Sequence, residues 1–332
     1  MKELTVRLAG LVLKNPLVLG SSDLTVSEQG MLTFARAGFG AIVSKTTTIE
    51  PLEGNPKPHL YFEKDRYLLV SGGLPNPGYK VMAERISAVK DAVHGEGCLI
   101  IASLAGRSPE EHAVIARELE QAGADAIQAN IYCPHRGPLV GQDEPIGRYW
   151  ALDPDRAAEV TRAVKAAVRI PVFMKYPGEY VWDSPRLGLA IERAGADGQV
   201  IPPHPGGMLI DPATARPRIG NPEGTGAVCG EVFKPMGIKC AADMVRVLKT
   251  PVVGSGGVTR GLDVVEYLMV GARAVELCTA MYWYGPGSLP EMLRELQAFL
   301  DQSAYSSLED MIGAALPNLP RIPYACRKLG LA

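Results

Sequence analysis

QAGADAIQ at 121–128, RAGADGQV at 193–200 and MVGARAVE at 269–276 are three writings of one local design. Each leaves a helical pattern through Gly and Ala and enters a short apolar strand. Glycine there supplies the left-handed residue that caps a helix before the chain turns. Three copies along one chain predict repeated helix-to-strand units with these loops on one face, and not a solenoid.

Outward from these copies, short apolar runs alternate with longer amphipathic ones. Strands are predicted over 15–20, 40–44, 98–103, 125–130, 171–175, 197–201, 251–254 and 274–278. Helical patterns fall at 26–37, 80–93, 109–122, 154–168, 183–195, 236–248, 261–270 and 287–301. Eight of each in alternation is the count of an α/β (β/α)8 TIM barrel, and uninterrupted apolar strands suit a parallel sheet covered by helices. A doubly wound sheet is the alternative. Against it, no G-x-G-x-x-G follows the first strand and the glycine-rich loops come late. The residues before the first barrel strand read as an N-terminal β-hairpin. Long irregular segments at 45–77, 131–153 and 203–235 follow strands 2, 4 and 6, on the face where barrels build active sites. No linker divides the chain, so one domain is expected over 1–332. Its tail, 302–332, packs on the barrel as an appendage, with SSLEDM as a capped short helix.

Apolar residues make up 47% and the formal charge is −2, an ordinary globular composition with no electrostatic footprint for nucleic acid or an anionic membrane. The six cysteines (98, 133, 229, 240, 278, 326) form no C-x-x-C pair. That argues against an iron–sulfur cluster or structural zinc in this chain, and for free thiols in a reducing compartment. The first apolar stretch is broken by Arg7, Lys14 and Pro16, unlike a signal peptide, and no window approaches the ~18 apolar residues of a membrane helix. A cytoplasmic location is expected.

Four groups of residues can carry chemistry. Strand 7 runs into Gly254-Ser255-Gly256-Gly257, and strand 8 ends in Cys278-Thr279-Ala280. In a barrel these two loops are the common phosphate site, although a tight turn alone also calls for glycine. Lys45 and Lys175 close strands 2 and 5, aimed at the barrel mouth or snorkelling to solvent. A cation at the mouth suits a phosphate or a ring that gains negative charge. Asn130 ends strand 4, and Cys133 opens the loop after it. Cys133 is either a proton-transfer thiol or a small buried hydrophobe, and His135 is the rival acid–base group. In Gly73-Leu74-Pro75-Asn76-Pro77-Gly78, Asn76 either faces outward or stabilises the turn.

These pieces, in this order, resemble the dihydroorotate/dihydropyrimidine dehydrogenase family of FMN enzymes over nearly the whole chain. The family's N-P followed by A-S-G compares with Asn15-Pro16 and Gly20-Ser21-Ser22, and its T-K-T/S turn with Ser44-Lys45-Thr46. G-L-P-N-x-G stands intact at 73–78, and N-L-S-C-P-N/H compares with Asn130 to His135. The flavin-contacting lysine falls on Lys175. G-G-I-G-G…K-P resembles 226–230 with Lys234-Pro235, and G-T-G-G-I falls on 254–258.

The resemblance implies FMN across the barrel mouth, held by Gly20, Ser21, Ser44, Lys45, Asn130, Lys175, Gly230, Gly256, Gly257, Cys278 and Thr279. It implies a small cyclic, dihydropyrimidine-like substrate met by Lys45, Asn76, Asn130, His135 and His204. Hydride would pass to or from flavin N5 in a ping-pong cycle. Cys133 takes the place of the cytosolic branch's cysteine base, with His135 beside it. A homodimer is the family expectation. Two other readings stay open: a flavin enzyme for a different conjugated ring, and the FMN subunit of a complex with an iron–sulfur electron-transfer partner. No metal is expected in this chain.

Departures from the family pattern concern substrate. Tyr132 replaces a serine, and His135 stands where dihydroorotate enzymes have asparagine. Strand 6 leads into Pro202-Pro203-His204 where another asparagine is expected. A missing buried amide partner costs about 1–3 kcal/mol, enough to turn preference away from dihydroorotate.

Overall fold

The computed structural model describes residues 2–63, 66–133, 145–178, 184–321, 323, 326 and 330. Eight parallel strands close a barrel: Leu17–Leu19, Ala41–Val43, Leu99–Leu104, Ala126–Asn130, Val172–Lys175, Gly198–Val200, Val252–Ser255 and Ala274–Leu277. The last pairs with the first, Val275 opposite Leu17. Eight helices stand at the predicted places: Glu28–Ala37, Tyr79–Gly95, Pro109–Gln121, Pro154–Ala167, Ser184–Arg193, Lys234–Val245, Gly261–Met269 and Leu289–Gln302. The architecture is the predicted (β/α)8 barrel.

The repeated design works as its glycines predict. Gly123, Gly195 and Gly271 have φ of 100°, 97° and 96°. Their N–H groups close on the preceding helices, at Glu120 O, Glu192 O and Leu268 O, over 2.9, 3.0 and 2.8 Å. In two copies the following aspartate then accepts a strand N–H: Asp125 Oδ2 from Ile100 and Asp197 Oδ2 from Val172, both at 2.7 Å. The third copy has Arg273 instead, which pairs with Glu309 in the tail. Glu309 lies in the helix Leu308–Met311, capped by the Ser307 side chain, and its Oε1 also accepts the Arg7 N–H of the N-terminal hairpin at 3.3 Å. Leu308 and Met311 are fully buried in the barrel's own apolar cluster. The hairpin itself pairs Val6–Leu8 with Leu11–Leu13 and buries Val6, Leu8 and Leu13 in that cluster.

Two segments predicted irregular hold a further sheet. Leu60–Glu63, Tyr67–Val70, Gly206–Met208 and Thr225–Cys229 form four antiparallel strands, with Ala227 opposite Val70. Its strands are three to five residues long, and Gly206-Gly207 carries no apolar alternation, so local pattern could not reveal them. No helix among the described residues is long and apolar enough to cross a membrane.

Candidate active site

The C-terminal strand ends and the four-stranded sheet enclose a cavity of about 230 Å³. A single water needs roughly 10–15 Å³ on such a measure, so the space is ligand-sized. Gly20, Lys45, Asn130, Lys175, Ser255 and Leu277 line it from the barrel; Leu68, Val70, Ala227 and Cys229 line it from the sheet.

Its charges come in pairs. Lys175 Nζ contacts Glu276 Oε1, and Glu276 Oε2 accepts from Gln128 Nε2 at 3.0 Å. All three sit inside the barrel, on strands 5, 8 and 4. Lys45 Nζ donates to Asp23 Oδ1 at 2.5 Å, and both residues line the cavity. Glu276, Gln128 and Asp23 are absent from the sequence-based set. The signal was a glutamate between Val275 and Leu277, because a charge inside an apolar barrel strand demands a buried partner.

Thr46 is the polar hub. Its Oγ1 contacts Ser21 Oγ at 3.0 Å and Ser103 Oγ at 2.8 Å and accepts from Asn130 Nδ2 at 3.1 Å, tying four barrel segments together. Three expected site residues lie elsewhere. Ser44 is fully buried with its Oγ accepting the Ser103 N–H at 3.0 Å, so Thr46, two residues on, takes the cavity wall. Asn76 lines no part of the cavity: its Oδ1 accepts the Thr48 and Gly78 N–H groups, and its Nδ2 donates to Leu74 O and Thr48 Oγ1. The turn-stabilising role accounts for that amide in full. Gly230 stands outside the lining, against Arg66 O and the Trp283 ring, where a Cβ would fall at 2.9 and 3.1 Å.

Cys133 lines the cavity, and Asn130 Oδ1 accepts the N–H groups of Tyr132 and Cys133, each at 3.0 Å. The end of strand 4 thereby holds the backbone of Tyr132 and Cys133. His135 lies outside the described residues. His204 lines the cavity too; burial and then the Lys175 ammonium pull its pKa down to about 4, so its imidazole is neutral. Two more thiols share the space. Burial pushes Cys229 far above the thiol range and Cys278 up to about 11, with a hydrogen bond from Ser22 and Lys175 partly offsetting the latter.

The glycine-rich loop is held from behind. Gly256 and Gly257 have φ of 112° and 70°, and a Cβ on Gly257 would fall 2.3 Å from the Lys234 nitrogen. Tyr267 Oη donates to Ser255 O and Gly256 O at 2.9 and 2.7 Å. Asp263 accepts from Lys234 Nζ at 2.8 Å and from the Thr259 and Arg260 N–H groups at 2.8 and 2.9 Å. A rigid backbone loop with no side chains in the way suits a phosphate. Next to it are two ammonium groups, one amide and an apolar wall (Leu68, Val70, Ala227). This donor set fits FMN, a flat ring ending in a phosphate.

Barrel, mouth cavity and donor set define a TIM-barrel enzyme built for a phosphorylated planar cofactor. The dihydroorotate dehydrogenase family model matches residues 3–300. The chain is 34% identical to dihydroorotate dehydrogenase B (NAD(+)), catalytic subunit, of Methanocella arvoryzae, over 94% of this chain and 98% of that one. The namesake subunit of Methanosarcina mazei is 35% identical, over 93% and 94%. In three dimensions the chain is similar to the dihydroorotate dehydrogenase of Eimeria tenella, solved with ferulenol: TM-score 0.78, 22% identity, 96% of this chain and 89% of that one. This chain belongs to the dihydroorotate dehydrogenase family. It is an FMN-dependent oxidoreductase acting on a CH–CH bond.

Proposed function

We propose that this chain interconverts a C–C and a C=C bond in a small, uncharged cyclic amide of the dihydropyrimidine type, with FMN held at the barrel mouth. One observation carries the choice of an uncharged ring: both cavity lysines face carboxylates, Lys45 at Asp23 and Lys175 at Glu276. An ammonium has three N–H donors, so each lysine keeps donors for ring carbonyls while its net charge is balanced. Among the described lining residues, a substrate carboxylate finds no lysine or arginine without an acidic partner.

In this reading Ser255, Gly256, Gly257 and Thr279 hold the phosphate, while Gly20, Ser21, Lys45, Asn130, Lys175 and Cys278 meet the rest of the cofactor. Bound FMN supplies the two-electron chemistry, taking or giving hydride at N5. Cys133 moves the accompanying proton at the substrate carbon, and His135 is the alternative carrier. Neutral His204 and the Asn130 amide orient the ring by hydrogen bonds that need no net charge. The whole chain, 1–332, acts as one domain and pairs as a homodimer. The relatives' name, catalytic subunit, supports a separate electron-transfer subunit for this chain as well.

A second reading, dihydroorotate itself, is favoured by the relatives' names. Anaerobic titration of the flavin absorbance separates the two. Dihydrouracil or dihydrothymine is expected to bleach the flavin faster than dihydroorotate; rapid bleaching at micromolar dihydroorotate alone would make the second reading correct.

A further inference from the structure

We infer that Glu276 is a positioning residue that, through Lys175, sets how strongly the cavity favours reduced over oxidised FMN. The inference rests on the proposal that Lys175 faces the cofactor.

Glu276 and Lys175 are 3% and 9% exposed, so their charges act with little screening by solvent. The carboxylate is fixed on both sides, with Oε1 on Lys175 Nζ and Oε2 on Gln128 Nε2 at 3.0 Å. It also abuts the first strand's end. A Cβ on Gly20 would come within 2.7 Å of Oε1, so the carboxylate fills the space that glycine leaves at this strand end. Both charges reach the cavity: Lys175 lowers the Cys278 thiol pKa and Glu276 raises it, within a net rise led by burial. An isolated ammonium beside a flavin favours the ring that has gained negative charge. A carboxylate in contact with that ammonium cancels much of its field. Glu276 thus holds Lys175 in place while moderating the pull it exerts on electrons.

Removing the carboxylate while keeping its shape isolates this effect. Glu276→Gln is expected to raise the reduction potential of bound FMN, tilting its reduced-to-oxidised ratio about tenfold, or ~30 mV for a two-electron couple. Lys175→Met is expected to move the potential the opposite way. Both are read by anaerobic dye-coupled reduction of the purified holoprotein, beside FMN dissociation constants from fluorescence quenching. An unchanged potential in Glu276→Gln, with Lys175→Met shifted, would overturn the inference and leave the functional reading intact. Failure of the unaltered protein to bind FMN would overturn that reading and the inference with it. Should Glu276→Gln not hold FMN, Gln128→Met carries the test. It removes the hydrogen bond that holds the carboxylate in place opposite Lys175, loosens that pair and should raise the potential by a smaller amount. No rise there would equally overturn the inference.

Discussion

Tyr132 Oη donates to the main-chain carbonyl of His204 at 3.1 Å, joining the loop after the fourth barrel strand to the loop after the sixth. The two rings also approach, with centroids 6.4 Å apart. Tyrosine where the family pattern has serine is therefore a strut across the cavity as well as added bulk beside Cys133. Removing the hydroxyl with Tyr132→Phe should cost about 0.5–1.5 kcal/mol of stability. KM for substrate should rise severalfold while the FMN dissociation constant stays the same. Equal loss of both would show that the strut supports the whole mouth rather than the substrate end.

Gly257 tests the phosphate loop. Its φ of 70° strains any other residue, and an added methyl would sit 2.3 Å from a backbone nitrogen, which cannot move aside as a side chain could. Gly257→Ala is expected to weaken FMN binding at least tenfold and to lower the melting temperature. Gly95→Ala is the control: it ends a helix with nothing within 4 Å of the new Cβ, and should be neutral or stabilising by up to ~1 kcal/mol. Matching FMN affinities in the two variants would detach the glycine-rich loop from cofactor binding.

The barrel was legible because its signals are local. A glycine that must cap a helix, as at Gly123, Gly195 and Gly271, announces itself in three residues of sequence. The sheet over the mouth was not legible, since Ala227 pairs with Val70 across most of a barrel's length of chain. Site residues divided along the same line. Lys45, Lys175, Asn130 and Cys133 sit at strand ends and were readable from position; their orientation follows from the barrel. Ser44 and Asn76 sit in the right motifs, yet their side chains satisfy the Ser103 N–H and the 74–78 turn. Which of two nearby polar residues, such as Ser44 and Thr46, faces a cavity depends on strand twist and register, and no motif records that. The Lys175–Glu276 pair joins strands far apart in sequence, and the Lys45–Asp23 pair joins the segments that follow the first two barrel strands; only the folded barrel brings either pair together.

A buried histidine makes stability depend on acid. His112 is fully buried; its Nδ1 lies 2.8 Å from Ser108 O, and its Nε2 accepts the Gly106 N–H at 3.1 Å. Burial pulls its pKa down to about 4, with the Ser108 hydrogen bond opposing. The folded pKa lies below the unfolded value of about 6.5, so the unfolded chain takes up this proton first. The stability His112 contributes is present above about pH 6.5 and is lost as pH falls from there toward 4, by up to about 1.4 kcal/mol per pH unit. Urea-unfolding midpoints at pH 7.5 and 5.0 should differ more in the unaltered protein than in His112→Gln. The same difference in both would assign the acid sensitivity to other groups.

Three thiols line the cavity, and proton transfer is proposed for Cys133 alone. Burial holds Cys229 and Cys278 protonated at neutral pH, so neither can act as a base. Cys133 follows the end of the fourth strand, where the Asn130 side chain accepts its N–H at 3.0 Å. An ordinary thiol, with a pKa near 8.5, can donate a proton at neutral pH without help; accepting one calls for a neighbouring cation. Cys133→Ala should keep FMN bound while slowing substrate-linked flavin reduction by ~10²-fold or more, the usual size of a lost acid–base group. Cys133→Ser should retain some activity, shifted to higher pH by the less acidic hydroxyl. Cys229→Ala should leave the rate within a few fold, since its thiol never ionises in the working range. His135→Ala is the decisive comparison, because His135 follows Cys133 by two residues and is the rival proton carrier. Stopped-flow reduction of the four variants separates the cases. Normal turnover in Cys133→Ala together with a dead His135→Ala would make the cysteine a wall of the cavity and hand proton transfer to the histidine.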